Sequence, residues 1–288
     1  MDVDTFLVVL LNGASSGSIL FLAAAGLSLI FGVMGILNLA HGALYMVGAY
    51  VGWTVAVQYE MNFWLAALAA GLAAGVTGLV IERGFLHRLY KQLSEQALLT
   101  FGFVYILANS ASWIWGSVPK ASGSLSFLSG TLNVGDWTYP LSRLGTILVG
   151  LALAVLLWWL QNKTRVGAIV RAGMEDKEMT AGLGVNIGRV SIAVFFFGAF
   201  IAGFAGVMGA QLMGIHFQLG IDILLLALAV IVVGGMGSVE GALFGGLLIG
   251  IIDAFGRALF PDLAMFMVYL TMIIMLLIRP TGLLGRKV

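Results

Sequence analysis

Residues Thr164–Val190 read TRVGAIVRAGMEDKEMTAGLGVNIGRV and hold Arg165, Arg171, Glu175, Asp176, Lys177, Glu178 and Arg189. Such a density of charge belongs to water. The rest of the chain is built for lipid: 288 residues, 61% hydrophobic and 9% charged, with mean hydropathy +1.07. Soluble domains carry about 25% charged residues. The fold class follows: an all-α integral membrane protein whose spans run into and out of this charged elbow. Within the elbow, Val166, Ile169, Val170 and Met174 keep the spacing of one helix face. The quartet Glu175–Glu178 opens a second short helix with Met179 and Leu183 on one side. Gly184 stops it, because glycine accepts the left-handed conformation that ends helices. Spacing alone leaves two readings, a solvated loop or a handle by which something outside the membrane moves the spans.

Working outward, apolar runs near 20 residues indicate spanning helices rather than the short alternating strands of a membrane barrel. About nine can be drawn, within a range of 8–10: Phe6–Val33, Ile36–Val57, Phe63–Ile81, Ala97–Trp115, Leu144–Leu160, Val190–Leu212, Ile223–Val233, Ala242–Leu259 and Leu263–Ile278. Together they make one helical bundle over residues 1–288. The first run is expected to be interrupted around Asn12, Gly13, Ser15, Ser16, Gly17 and Ser18. The seventh is short and ends in Gly234-Gly235-Met236-Gly237. The 40 glycines are about twice the usual frequency and point to closely approached helices. The acidic start, Met1-Asp2-Val3-Asp4, lacks the basic leader of a cleaved signal, so the first run is expected to stay in the membrane.

Lys and Arg accumulate on the cytoplasmic side. Residues 82–96 carry Arg83, Arg88 and Lys91; residues 161–189 carry five basic side chains; the tail carries Arg279, Arg286 and Lys287. With nine spans and the N-terminus outside, all three fall in the cytoplasm together with the C-terminus. The loop 116–143 falls outside. There, Leu125-Ser126-Phe127 and Thr131-Leu132-Asn133-Val134 around Ser129-Gly130 suggest a hairpin. Trp137 and Tyr139 read as interfacial anchors or as part of a landing surface for an outer partner.

Polar groups inside spans need a reason. Asn38, His41 and Tyr45 are spaced i, i+3, i+7 and would share one helix face, either lining a substrate pathway, bracing the break after Gly35, or bonding neighbouring helices. Asn109 is a further pathway candidate. Asp253 and Arg257, four apart in the favourable order, form a structural ion pair. Glu82 and Arg83 are expected to snorkel at a helix end. A faint echo relates Gly32–Tyr45 to Gly234–Phe244. Cysteine is absent, which excludes disulfides and thiolate metal sites; the histidines His41, His87 and His216 form no metal-ligand pattern. The net charge of +1 gives no basic footprint for nucleic acid. No HExxH or phosphate-binding loop motif occurs, so a pump built on this chain has its motor in another subunit. A stand-alone secondary transporter or channel would want ionisable groups at mid-membrane, and only Asp253 and His41 offer themselves.

Three stretches together resemble the permeases of branched-chain amino acid ABC importers. They are Leu27–Tyr50 (LSLIFGVMGILNLAHGALYMVGAY), Arg171–Arg189 (RAGMEDKEMTAGLGVNIGR), and Gly234–Gly246 (GGMGSVEGALFGG) with Arg279-Pro280-Thr281-Gly282-Leu283. The match runs over essentially the whole chain and is closest to the H-type subunit of the leucine–isoleucine–valine system. The resemblance implies a bacterial inner-membrane complex with a second related permease, two ATPase subunits and a periplasmic binding protein. ATP and Mg would be used by the ATPases, and no cofactor would be bound by this chain. It implies a coupling element at 166–184, with Arg171, Glu175, Asp176, Lys177, Glu178 and Gly184 as its contact residues. Relatives of the family that carry urea or short amides are the alternative for the substrate.

Overall fold

The computed structural model describes residues 2–89, 92–121, 128–134 and 137–285. In chain order the elements are α1 (Val3–Met34), α2 (His41–Trp53, prolonged by a π turn through Gln58), α3 (Phe63–Gly84), α4 (Leu93–Trp115), β1 (Thr131–Val134), β2 (Trp137–Pro140) and α5 (Leu141–Lys163). They continue with α6 (Arg165–Glu175), α7 (Lys177–Gly182), α8 (Ile187–Met213), α9 (Leu219–Gly234), α10 (Val239–Leu259) and α11 (Ala264–Ile278). The nine expected spans fall on α1–α5 and α8–α11. Six of these are long and apolar enough to cross a bilayer. The others are short: α2 has 13 residues before its π turn, α9 has 16 and α11 has 15.

α1 is the axis of the bundle, and it corrects one expectation. The stretch Asn12–Ser18 is not a break but part of a continuous helix of 32 residues. Its small polar side chains do not turn the chain. Ser18 Oγ donates to the Ala14 carbonyl at 2.8 Å, Asn12 accepts from Arg143 of α5, and the glycines are contact points. A Cβ on Gly13 would lie 2.7 Å from Ile251 Cα, and one on Gly17 would lie 2.8 Å from the Gly246 carbonyl, so α1 and α10 pack backbone to backbone as small residues in membranes permit. α8 approaches α1 where Gly26 meets Gly198, and α2 where Gly48 meets Gly203. As a result 89% of α1's most apolar window is buried, against 17% for the peripheral α4.

At one end of the bundle the chain turns sharply. Gly35 takes the left-handed conformation (φ 69°), and its N–H closes on the Phe31 carbonyl. Asn38 and His41 do not share a helix face as expected, because the helix restarts only at His41. Asn38 lies in the break, its Oδ1 accepting from the Ala40 N–H at 3.1 Å. The matching turn between α9 and α10 sits against it, with Gly32 touching Gly237. The C-terminal tail clamps that turn: the Leu283 and Leu284 N–H groups donate to the carbonyls of Val233 and Gly234 at 2.9 and 2.8 Å. Glu82, at the end of α3, is fully buried rather than snorkelling.

At the other end, β1 pairs antiparallel with β2, Thr131 opposite Pro140. The strand 131–134 of the expected hairpin therefore pairs onward in the chain; Leu125-Ser126-Phe127, like Lys91, Asp136, Arg286 and Lys287, lie outside the described residues. Tyr139 is 1% exposed, so it is a packing residue of this cap rather than an anchor at the lipid surface. Lys120 bridges to Ile215, and the Trp53 indole donates to the Ala121 carbonyl at 3.1 Å, tying this end to α2 and to the α8–α9 connection.

Candidate functional site

The charged elbow folds as two short helices, and each start has a side-chain cap. Thr164 Oγ1 accepts from the Gly167 N–H at 3.1 Å at the head of α6. Asp176 Oδ1 accepts from the Met179 N–H at 2.9 Å at the head of α7, and Asn186 Oδ1 accepts from Arg189 N–H at 3.0 Å where α8 begins. Caps satisfy amides that the first helical turn leaves free. Gly184 ends the segment in the left-handed region, φ 86°. The expected apolar face of α6 splits. Val170 is buried and Met174 is half-buried against the bundle, whereas Val166 is exposed.

Two contacts fasten the elbow to α1. Met174 places its terminal methyl against Gly32 and near Gly237, in the joint where α1 and the α9–α10 turn meet. Lys177 donates from Nζ to the Met34 carbonyl at 2.8 Å. Met34 is the last residue of α1, whose final turn has no basic side chain of its own. A cation placed there satisfies a free carbonyl and opposes the negative end of the helix dipole. Lys177 is itself exposed, but its ammonium reaches back to α1, and partial desolvation holds it below the usual lysine range. Arg171 is half-buried, with Nη1 enclosed. Glu175, Asp176 and Glu178 lie on the exposed side.

Among these exposed charges the elbow also presents apolar side chains outward. Met179, on a helix of 6 residues, and Leu183, the residue that closes that helix, are 72% and 80% exposed; the helix is held by its cap and by Thr180 Oγ1 donating to the Asp176 carbonyl at 2.6 Å. Because Asp176 holds this helix, Asp176→Ala is expected to cost about 1 kcal/mol of local stability. Amide exchange at Met179–Gly182, read by mass spectrometry, should speed up by about fivefold, with the rest of the chain unchanged.

The other sequence candidates lie apart from the elbow. Asn38, His41 and Tyr45 are fully buried. His41 Nε2 lies 2.9 Å from the Ala23 carbonyl of α1, and the Tyr45 hydroxyl presses on Gly209 of α8. His41 and Tyr45 thereby pack α2 against α1 and α8. Asn109 is on the exposed face of α4, its Nδ2 donating to the Tyr105 carbonyl at 2.8 Å. Asp253 and Arg257 pair at 2.9 Å along α10. Gln96 was absent from the sequence candidates. It sits in the first turn of α4, where an amide reads as solvated, yet it is 2% exposed.

A multi-pass helical bundle with broken spans at one end, and a basic, capped double-helix elbow fastened to its central span, is the architecture of a membrane transport subunit. The chain belongs to the family described as branched-chain amino acid transport system / permease component, whose model matches residues 9–276. It is 32% identical over 305 residues to the Escherichia coli (strain K12) high-affinity branched-chain amino acid transport system permease protein LivH, covering 98% of this chain and 96% of that one. The same organism's permease protein LivM, of the same named system, is 29% identical over 284 residues, 90% of this chain and 66% of LivM. Among solved structures, PsaBC from Streptococcus pneumoniae in complex with Fab superposes with a TM-score of 0.50 at 16% identity, covering 93% of this chain and 89% of that one; at that identity the likeness concerns the fold alone.

Proposed function

We propose that this chain is a translocation subunit of an ABC importer that brings branched-chain or other apolar amino acids into the cytoplasm. Its partners are a second, related permease, two ATPase subunits and a periplasmic binding protein. That the chain resembles both LivH and LivM, two permeases of one named system, supports a paired permease. The N-terminus lies outside and the C-terminus in the cytoplasm of a bacterial inner membrane. In support, Arg83, Arg88, the elbow and Arg279 gather at the end of the bundle where α1 stops, and basic loops favour the cytoplasm.

The single observation that carries the reading is the pair Met179 and Leu183, 72% and 80% exposed on a capped helix outside the apolar spans. Exposed apolar side chains on a rigid element mark a protein contact, and here the element is fastened to the central span through Lys177 and Met174. ATP binding closes the ATPase pair, the elbow moves with it, and the joint at Met34, Gly32 and Gly237 passes the motion to α1 and α10.

The test is uptake by the complete complex in proteoliposomes, with ATP inside and the loaded binding protein outside. Labelled leucine should accumulate only with ATP, unlabelled isoleucine should compete, and urea should not. Competition by urea, or uptake by this chain alone under an ion gradient, overturns the reading.

A further inference from the structure

Beside the elbow, the end of α1 and the starts of α4 and α8 enclose a cleft of about 380 Å³, within the range of small-molecule sites. Three polar side chains line it, Gln96, Lys177 and Ser191. Gln96 is 2% exposed. Its Nε2 donates to the Leu89 carbonyl at 2.6 Å, which fixes the amide and leaves Oε1 buried without a hydrogen-bond partner. A buried acceptor left open costs stability unless a ligand or water meets it. Ser191 is 4% exposed. The remaining wall is apolar: Met34, Ile36, Leu93 and Ile187.

The cleft is electrically two-sided. α4 opens at Leu93 without a side-chain cap and α8 opens at Ile187, so two helix N-termini point positive ends at it. α1 closes at Met34 and turns its negative end to the same space. Lys177 adds a full positive charge, and its lowered basicity reflects partial desolvation that an anion would relieve.

A small molecule with one anionic group, one cationic group and an apolar side chain matches these walls. We propose that the cleft binds an apolar α-amino acid as its zwitterion at the cytoplasmic face, its carboxylate toward Lys177 and the two helix starts, its ammonium toward Gln96 Oε1 and the end of α1. Its side chain rests on Ile36, Leu93 and Ile187. The ligand class and the sidedness rest on the function proposed above. The site has a consequence for coupling. Lys177 is also the tie between α7 and α1, so a bound carboxylate engages the ammonium that fastens the elbow, and the internal amino acid acts on the element the ATPase moves.

The experiment uses the permease–ATPase complex purified without its binding protein, in nanodiscs, with tritiated L-leucine as probe. Saturable binding is expected. Gln96→Leu, which removes the acceptor, and Leu93→Trp, which fills the cleft from a position 66% exposed and so spares the core, are each expected to weaken it at least tenfold. Leucinamide, lacking the carboxylate, and 4-methylpentanoate, lacking the ammonium, should compete at least tenfold less well than leucine. Absence of binding to the native complex, or equal binding to both variants, overturns the site. If the same complex imports leucine normally with its binding protein, the site alone has failed. If it imports no apolar amino acid, the proposed function has failed, whatever the cleft binds.

Discussion

Met179→Glu together with Leu183→Glu is expected to leave the chain inserted and folded while abolishing ATP-driven uptake and recovery of the ATPase subunits. Neither side chain supports the bundle: they are 72% and 80% exposed, and the helix beneath them is held by the Asp176 cap and the Thr180 hydroxyl. In the proposed complex they are the most exposed apolar side chains of the elbow, ahead of Val166 at 70%. Fully burying a Leu or Met side chain contributes about 1.5–3 kcal/mol. Replacing both by carboxylates forfeits that and adds the penalty of burying charge. A loss of about 3–6 kcal/mol weakens association by roughly 10²–10⁴. Co-purification measures it directly, with gel filtration of the permease as the control for folding. Stoichiometric ATPase recovery by the double variant would exclude α7 as the contact. Reversing charge at Glu175 and Asp176 is a less clean probe, because the Asp176 carboxylate also caps the helix under test.

The elbow was legible from sequence because its signals are local. Charge density placed it in water, apolar spacing gave two helices, and Gly184 ended them where the left-handed φ is found. The helical class was legible for the same reason, since a run of apolar residues reports its own length; the count of nine holds only approximately, because six helices are long and apolar enough to cross. What failed depended on distant contacts. Asn12–Ser18 has the composition of a turn, yet those small residues lie against α10, an arrangement that no local window contains. Asn38 was placed on a helix face because periodicity does not say where a helix restarts. Tyr139 has the position of an interface anchor but is buried within the β-strand cap. Lys177 is exposed like its charged neighbours, and only the position of Met34, far away in the chain, gives its ammonium a partner. Gln96 carried no signal at all; its amide is held by the Leu89 carbonyl in the turn before α4, a contact that helical periodicity does not report.

Gly250→Val is expected to prevent α1 and α10 from packing and to destabilise the whole bundle. A Cβ at Gly250 would collide with the Cα and N of Gly17 and the carbonyl of Gly13. All three are backbone atoms of the central helix, so no rotamer change relieves the clash. Overpacking a core typically costs about 1–3 kcal/mol, and occasionally more, where side chains can adjust; here adjustment means separating two helices. No smaller residue on α1 can compensate, because the facing positions are already glycine. Moving α1 also disturbs its approach to α8 at Gly26 and Gly198. The matched control is Gly102→Val on the peripheral α4, where a Cβ meets no atom within 4 Å. A loss of at least about 3 kcal/mol corresponds to a fall of about 6–12 °C in the unfolding midpoint of a domain this size. Thermal unfolding in detergent, followed by fluorescence-detected gel filtration, should show that fall for Gly250→Val and none for Gly102→Val. Equal midpoints for the two variants would mean that α1 and α10 do not meet through their backbones, and the central joint through which the elbow acts would have to be redrawn.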